Sequence, residues 1–291
     1  FNGKKWNTFK DNATKWKCLK KGKVDIIQYS KIYCLIDCKV LNDGYDIFRS
    51  WIQKLTGIDI LNILTLSSVA DKYVIKEGGY DDVCELSGIP RLFIQRCLVG
   101  GKTMTNQNKA HIDFRYIFNR DLDINSSYPH SYCRIGGFLK GKPKIITKDM
   151  SNEELLNKDG LFVKIKIHSI KKLDFPLLSY KNKDGIRTWS NDVDALNENG
   201  VYIGKFALED AINFANMKYE IIQGYYFDEG RNNILPTLTK NLYNERKVLK
   251  KQGNKAEAIY KLILNSIFGK TALKAFDSEL IIKSNCRWVG K

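Results

Sequence analysis

Asp121-Leu122-Asp123-Ile124-Asn125-Ser126-Ser127-Tyr128-Pro129 is the most informative run in the chain. It follows Phe114-Arg115-Tyr116-Ile117-Phe118, whose apolar character predicts a buried strand carrying an acidic residue to its end, with Pro129 stopping regular pairing. A carboxylate at a strand end is well placed to hold a metal. Mg²⁺ keeps one or two protein carboxylates and takes its other ligands from water and substrate phosphates. Tyr128 then offers a flat ring beside whatever carries those phosphates. Taken alone, the same residues also suit a strand that ends in a polar turn.

A second run, Lys261-Leu262-Ile263-Leu264-Asn265-Ser266-Ile267-Phe268-Gly269, reads as the end of a helix. Lys261, Asn265 and Phe268 fall at i, i+4 and i+7, so an ammonium, an amide and a ring share one face, and Gly269 supplies the C-terminal stop. A cation, a hydrogen-bonding amide and a stacking surface are what a nucleoside triphosphate needs. An ordinary amphipathic helix with one lysine at its rim has the same pattern.

Together the two runs are specific. D-x-x-S-x-Y-P followed far downstream by K-x-x-x-N-S-x-F-G resembles motifs A and B of the family B DNA polymerases, and the wording D-I-N-S-x-Y-P looks like the protein-primed branch of viral, linear-plasmid and mobile-element enzymes. The resemblance implies an α+β fold, a fragment of a right-hand polymerase, and a DNA-directed DNA polymerase activity. It makes Asp123 the catalytic residue and metal ligand, with the Ile124 carbonyl as a backbone ligand, in a two-metal site for Mg²⁺, with Mn²⁺ as the alternative ion. It assigns Ser127, Tyr128, Arg246, Lys250, Lys261, Asn265 and Phe268 to the incoming nucleotide, and Ser126, Ser266 and Gly269 to DNA. Tyr128 would lie beneath the deoxyribose, where a 2′-hydroxyl collides with its ring. Phe268 stands where the family has Tyr, keeping the ring and losing a hydroxyl. The implied partners are a DNA primer-template, dNTPs and a terminal priming protein. The family's third carboxylate motif, of D-T-D type, does not occur before Lys291. Asp277-Ser278-Glu279 is better read as a surface turn, and the piece alone is expected to synthesise little DNA.

The charge of the chain agrees with a polyanionic partner. Lys and Arg outnumber Asp and Glu by 48 to 32, for a net charge of +16 in 291 residues. Each phosphate neutralised by such a cation releases condensed counterions. Composition alone also suits ribosomal proteins and membrane-surface binders, so it selects a partner class and no activity. Aromatic residues, at 12%, are available for stacking on bases. Seven cysteines form no C-x-x-C pair and no zinc spacing, which points to reduced thiols in an intracellular compartment, host cytoplasm or organelle. Cys34 and Cys38 read as buried apolar residues on a helix rather than a metal pair. No apolar run is long enough for a membrane span, and no signal-peptide pattern opens the chain, so neither membrane association nor secretion is expected. The first residue is Phe1, and the chain reads as a piece of a longer protein.

The remaining signals fall in chain order. Residues 1–23 are basic with interleaved Trp6 and Trp16, the pattern of a solvated surface or a nucleic acid contact. A helix is predicted from Ser30, its N-cap, with Ile32, Leu35, Ile36 and Val40 on the apolar side. Tyr33 and Asp37 lie one turn apart, where a phenol could orient a water while the carboxylate binds metal. This Y-x-x-x-D resembles the third exonuclease motif of the same family. The two earlier exonuclease motifs are not found in residues 1–29. A further helix carries Tyr45, Phe48, Ile52 and Leu55 and ends at Gly57.

Residues 77–110 are rich in turn formers. Gly100, Gly101 and Lys102 resemble the Y-x-G-G linker of the family, with Leu98 in place of the usual Tyr, and imply contact with single-stranded template. A tight turn between strands is the alternative. Leu161–Ile167 alternates as a half-buried strand with its lysines outward. Asp184-Gly185 and Asn199-Gly200 mark turns beside short strands such as 201–203, and a helix is predicted from about Leu208 to Asn216. His168 reads as an isolated surface residue. Two helices, one from Asn232 to Lys251 and one leading into Lys261–Gly269, carry Arg246 and Lys250 near their connecting turn.

The resemblance divides the chain into the end of a 3′–5′ exonuclease domain (1–76), a linker and first part of a palm with motif A (77–139), a branch-specific insertion (140–230), helical fingers with motif B (231–270) and a return towards the palm (271–291). Two other readings remain open at this point. One is a non-catalytic basic nucleic-acid-binding module. The other is an RNA polymerase or reverse transcriptase on a similar palm.

Overall fold

The computed structural model of the protein describes residues 3–102, 122–124 and 126–271. In chain order the elements are α1 (Gly3–Lys15), β1 (Leu19–Lys20), β2 (Lys23–Val24), α2 (Ile26–Thr56), α3 (Leu66–Lys76), α4 (Gly88–Cys97) and α5 (Ser127–Ile135). They continue with β3 (Phe138–Leu139), β4 (Lys144–Ile145), α6 (Asn152–Leu156), β5 (Gly160–Ser169), β6 (Leu178–Lys181), β7 (Arg187–Ser190), α7 (Val193–Asn199) and β8 (Val201–Gly204). The last are α8 (Lys205–Ala215), β9 (Lys218–Phe227), β10 (Arg231–Asn232), α9 (Ile234–Lys251) and α10 (Glu257–Thr271). This is the mixed α+β content expected. The chain forms two compact units, Phe1–Tyr73 with Tyr243–Lys291, and Val74–Leu242.

The second unit is built on a four-stranded antiparallel sheet in the order β4-β9-β5-β8. Strand β5 shows why the sequence folds this way. Leu161, Val163, Ile165 and Ile167 are all buried, and Lys166 between them is exposed, as the alternation predicts. Leu196 of α7 and Leu208 and Ala211 of α8 close the same core. Asn197 fixes α7 to the strand: its side-chain oxygen accepts from the Ile167 N–H and its amide donates to the Ile167 carbonyl, both at 2.8 Å. On the other face of the sheet, Phe93 of α4 packs edge-on against Tyr202 and Tyr225, each at 5.3 Å. The turn at Asp184-Gly185 joins β6 to β7, and Gly200 separates α7 from β8. Helix α8 begins at Lys205, three residues before the predicted start.

The described residues of the first unit are mostly helical, beside the short β1–β2 pair, and here the sequence reading needs correction. Asp25, not Ser30, is the N-cap of α2, its carboxylate accepting from the Gln28 N–H at 3.1 Å. The two helices expected between residues 30 and 56 are one 31-residue helix. Gly57 ends it in the left-handed region (φ 70°), as predicted. Among the described residues the apolar side assigned to its first half is largely uncovered: Leu35 is 70% and Val40 64% exposed. Cys34 and Cys38 are exposed as well, not buried. Trp6 stacks on Phe9, and Phe9 and Trp16 both pack against Tyr29, a small aromatic cluster within the basic first segment.

Candidate functional site

Asp123 lies in the second unit. Phe114–Phe118, Asp121 and Asn125 are outside the described residues, so the predicted strand is not part of the description. Leu122–Ile124 has no regular structure and is exposed, including the Asp123 side chain. The chain then turns through Ser126, a non-glycine residue in the left-handed region (φ 53°), into α5. Pro129 therefore does not end a strand; it sits in the first turn of a helix, where its missing N–H has no intrahelical partner to lose. Ser127 and Tyr128 open the helix, with Tyr128 59% exposed. The Ser131 hydroxyl donates to the Ser127 carbonyl at 3.0 Å.

Beyond α5 the backbone is anchored firmly. Gly137 has φ 107°, and a Cβ there would stand 1.8 Å from the Asn232 carbonyl oxygen. Asn232 is itself buried and its amide donates to the carbonyls of Gly78 (2.8 Å) and Asp81 (3.0 Å). Strands β3 and β10 pair at this point, and the Arg231 guanidinium donates to the Gly137 carbonyl at 3.0 Å. The helix that carries Tyr128 is thus followed by one of the most tightly packed backbone crossings of the unit.

The basic helix lies in the first unit. Ile259, Ile263, Leu264 and Ile267 bury one side of α10, and Lys261 and Asn265 are exposed on the other, with Ser266 and Phe268 half-buried. Gly269 is not the stop expected: α10 continues to Thr271. A single glycine in right-handed conformation costs a helix only about 1 kcal/mol, too little to end it. Lys250 is exposed. Arg246 is not: its Nε donates to Glu257 at 2.9 Å, joining the end of α9 to the start of α10. The sequence reading missed Glu257 as its partner, though an acidic residue in the first turn of the second helix was a visible signal. Tyr260 on α10 is pushed up to about 12, by burial first and then by its hydrogen bond to Glu245.

Tyr33 and Asp37 face each other on α2. The Asp37 charge, and then the hydrogen bond that the phenol donates to this carboxylate, hold the Tyr33 pKa above its ordinary value. Gly100, Gly101 and Lys102 follow helix α4 and not a strand, and both glycines have open space around them. The Lys102 ammonium donates to the Pro176 carbonyl and lies 4.7 Å from the Trp189 ring centroid, and burial lowers its pKa. His168 is exposed, 3.9 Å from a Glu220 oxygen. Among the described residues no three His, Cys, Asp or Glu side chains gather into a metal-holding group. Asp123 fits a hard cation as one carboxylate among water and phosphate ligands, the pattern Mg²⁺ takes. Asp277-Ser278-Glu279 lies outside the described residues.

Comparison with known proteins gives a family match and several structural ones. A family model described as DNA polymerase type B, organellar and viral, matches residues 2–287. Phi29 DNA polymerase in an orthorhombic crystal form matches with a TM-score of 0.52 and 19% identity over 77% of the chain and 38% of that protein. The post-translocation binary complex of Phi29 DNA polymerase with primer-template DNA gives a TM-score of 0.48 and 17% identity over 75% and 36%. Its ternary complex with primer-template DNA and incoming nucleotide substrates gives 0.48 and 17% over 75% and 37%. At these identities the likeness is one of fold, and the chain spans well under half the length of these structures. Among curated proteins none matches significantly. Among the described residues no helix is long and apolar enough to cross a membrane.

Proposed function

The chain belongs to the organellar and viral type B DNA polymerases, and we propose that it forms part of an enzyme that extends DNA from dNTPs on a template. The observation that carries this reading is the family match together with an exposed Asp123 shortly before the start of α5 at Ser127. Asp123 and the Ile124 carbonyl would hold Mg²⁺, or Mn²⁺ in its place, and such an ion would supply charge stabilisation to the phosphoryl transfer. Lys261 neutralises the triphosphate, Asn265 contacts the incoming nucleotide, and Phe268 packs at the nascent pair. Lys250 adds positive charge, whereas Arg246 acts through its bond to Glu257, holding the α9–α10 turn. Tyr128 rejects ribonucleotides by shape.

Ser127 stands with Tyr128 at the incoming nucleotide, and Ser126, Ser266, Gly269, Gly100, Gly101 and Lys102 form the DNA-facing backbone and side-chain contacts, with Lys102 working from its seat on Pro176 and Trp189. Tyr33 and Asp37 belong to a 3′–5′ exonuclease of the whole protein. The domain limits proposed from the sequence, residues 1–76, 77–139, 140–230, 231–270 and 271–291, go with this reading. So do priming by a terminal protein and action inside the cell, in host cytoplasm or an organelle.

The test is Asp123→Asn in the complete protein that carries this chain. Magnesium-dependent primer extension should fall by about 10³-fold or more while primer-template binding stays within a factor of about two. Extension at the unaltered rate would overturn the assignment and favour a binding module. Tyr128→Val should admit ribonucleotides in the same assay.

A further inference from the structure

On the α4 face of the sheet, the second unit holds an open cavity of about 420 Å³ whose wall is cationic. Arg96 of α4, Lys164 of β5, and Lys181 and Arg187 of the β6–β7 hairpin all line it, against one carboxylate, Glu198. They come from three separate segments, α4, β5 and the β6–β7 hairpin, so the charge is gathered by folding and not by a basic run. The two arginines are held by neutral partners. Arg96 Nη1 donates to the Tyr202 hydroxyl at 2.9 Å, and Arg187 Nη1 donates to Ser179 Oγ at 2.9 Å in a half-buried position. The Arg96 guanidinium and the Lys164 ammonium both lie over the Tyr202 ring, at 5.3 and 5.7 Å from its centroid. Among the described residues none of the four cations forms an ion pair, whereas Lys140, Lys144, Lys158 and Lys205 elsewhere in this unit all do.

Gathering four like charges around one cavity is unfavourable unless something negative enters it. Guanidinium groups fixed by neutral hydrogen bonds keep their remaining N–H donors for oxyanion geometry, and lysines beside them add point charge. The volume suits one phosphate-bearing moiety of nucleotide size. We infer that the cavity bounded by Arg96, Lys164, Lys181 and Arg187 is a phosphate-binding site, for the phosphoryl oxygens of a nucleotide or of a polynucleotide backbone. Asp123 is not among the residues that line it.

The test reads the site itself. The complete protein is treated with an amine-acetylating reagent in metal-free buffer, and the modification of each lysine is followed by mass spectrometry. Pyrophosphate, thymidine monophosphate and a short single-stranded oligonucleotide are the probes. At least one should slow acetylation of Lys164 and Lys181 by about fivefold or more, with exposed Lys218 unaffected. Protection by the small probes identifies a free nucleotide or pyrophosphate site, and protection by the oligonucleotide alone identifies a strand backbone. Arg187→Gln should weaken the protection, and Asp123→Asn should leave it unchanged. Absence of protection by all three probes in the unaltered protein would overturn the inference. Equal protection by polyglutamate would overturn it too, since the site would then be one for acidic peptides.

Discussion

The sheet of the second unit and the long helix of the first bury their apolar residues to opposite degrees. In β5, Leu161, Val163, Ile165 and Ile167 are each no more than 1% exposed, closed over by α7 and α8. In the first half of α2, Ile27, Leu35, Val40 and Leu41 are between 64 and 75% exposed. The sheet is therefore held by packing, and removing a side chain from it leaves a void. The helix is fixed in this stretch by its ends, the Asp25 cap and the Gly57 stop, and by backbone hydrogen bonds along its length. An apolar residue in the sequence predicts burial only when a second element arrives to cover it.

The largest expected effect separates the two regions directly. Ile165→Ala should cost about 2–5 kcal/mol in urea unfolding of the second unit, and Leu41→Ala should change stability by no more than about 0.5 kcal/mol. A comparable loss from both substitutions would break the comparison, because it would mean that the exposed face of α2 is covered in solution.

Glycine sharpens the contrast, since the same change should act with opposite sign. Gly137→Ala forces a left-handed backbone and puts a methyl group against the Asn232 carbonyl, so it should destabilise by about 1–3 kcal/mol. Gly44 lies inside α2 with nothing within 4 Å of a Cβ. Gly44→Ala should therefore stabilise by about 0.5–1 kcal/mol, through a less flexible unfolded chain and better helix propensity. Thermal unfolding of the two variants checks both signs. A loss of stability from Gly44→Ala would show that something packs on that face.

How much the sequence revealed follows the same division. Period-two alternation placed β5 residue by residue, because a half-buried strand writes its burial pattern into its sequence. Turn chemistry at Asp184-Gly185 and Asn199-Gly200 bounded the neighbouring strands. In α2 the periodicity was present but among the described residues nothing covers its first half, so the helix was cut in two and its exposed side taken for a core face. The residue types of the Asp123 and Lys261 runs were legible, and so was the helical setting of the second, while the strand expected before Asp123 lies outside the described residues. The partner of Arg246, the seat of Lys102 on Pro176 and Trp189, and the cavity lined by Arg96, Lys164, Lys181 and Arg187 were not. Each depends on residues brought together by tertiary folding, which no local pattern records. Pro129 misled for a different reason: proline interrupts a strand and opens a helix equally well, and only the residues beyond it decide between the two.

The smallest expected effect compares one tyrosine in each unit. Tyr260 on α10 is held up to about 12 by burial and by Glu245, and Tyr219 on β9 is raised by burial alone. In both, the folded state favours the neutral phenol. The resulting stabilisation is complete below the ordinary phenol pKa of about 10 and is lost as pH rises through the folded value. The melting temperature should accordingly decline between about pH 10 and pH 12, and Tyr260→Phe should flatten that decline. Glu245→Gln removes the charge that opposes ionisation at Tyr260 and leaves the surroundings of Tyr219 as they are. Followed by ultraviolet absorbance, it should bring the ionisation of Tyr260 to lower pH and leave that of Tyr219 in place. A shift of both together would mean that the carboxylate acts on the stability of the whole chain and not on the ring beside it.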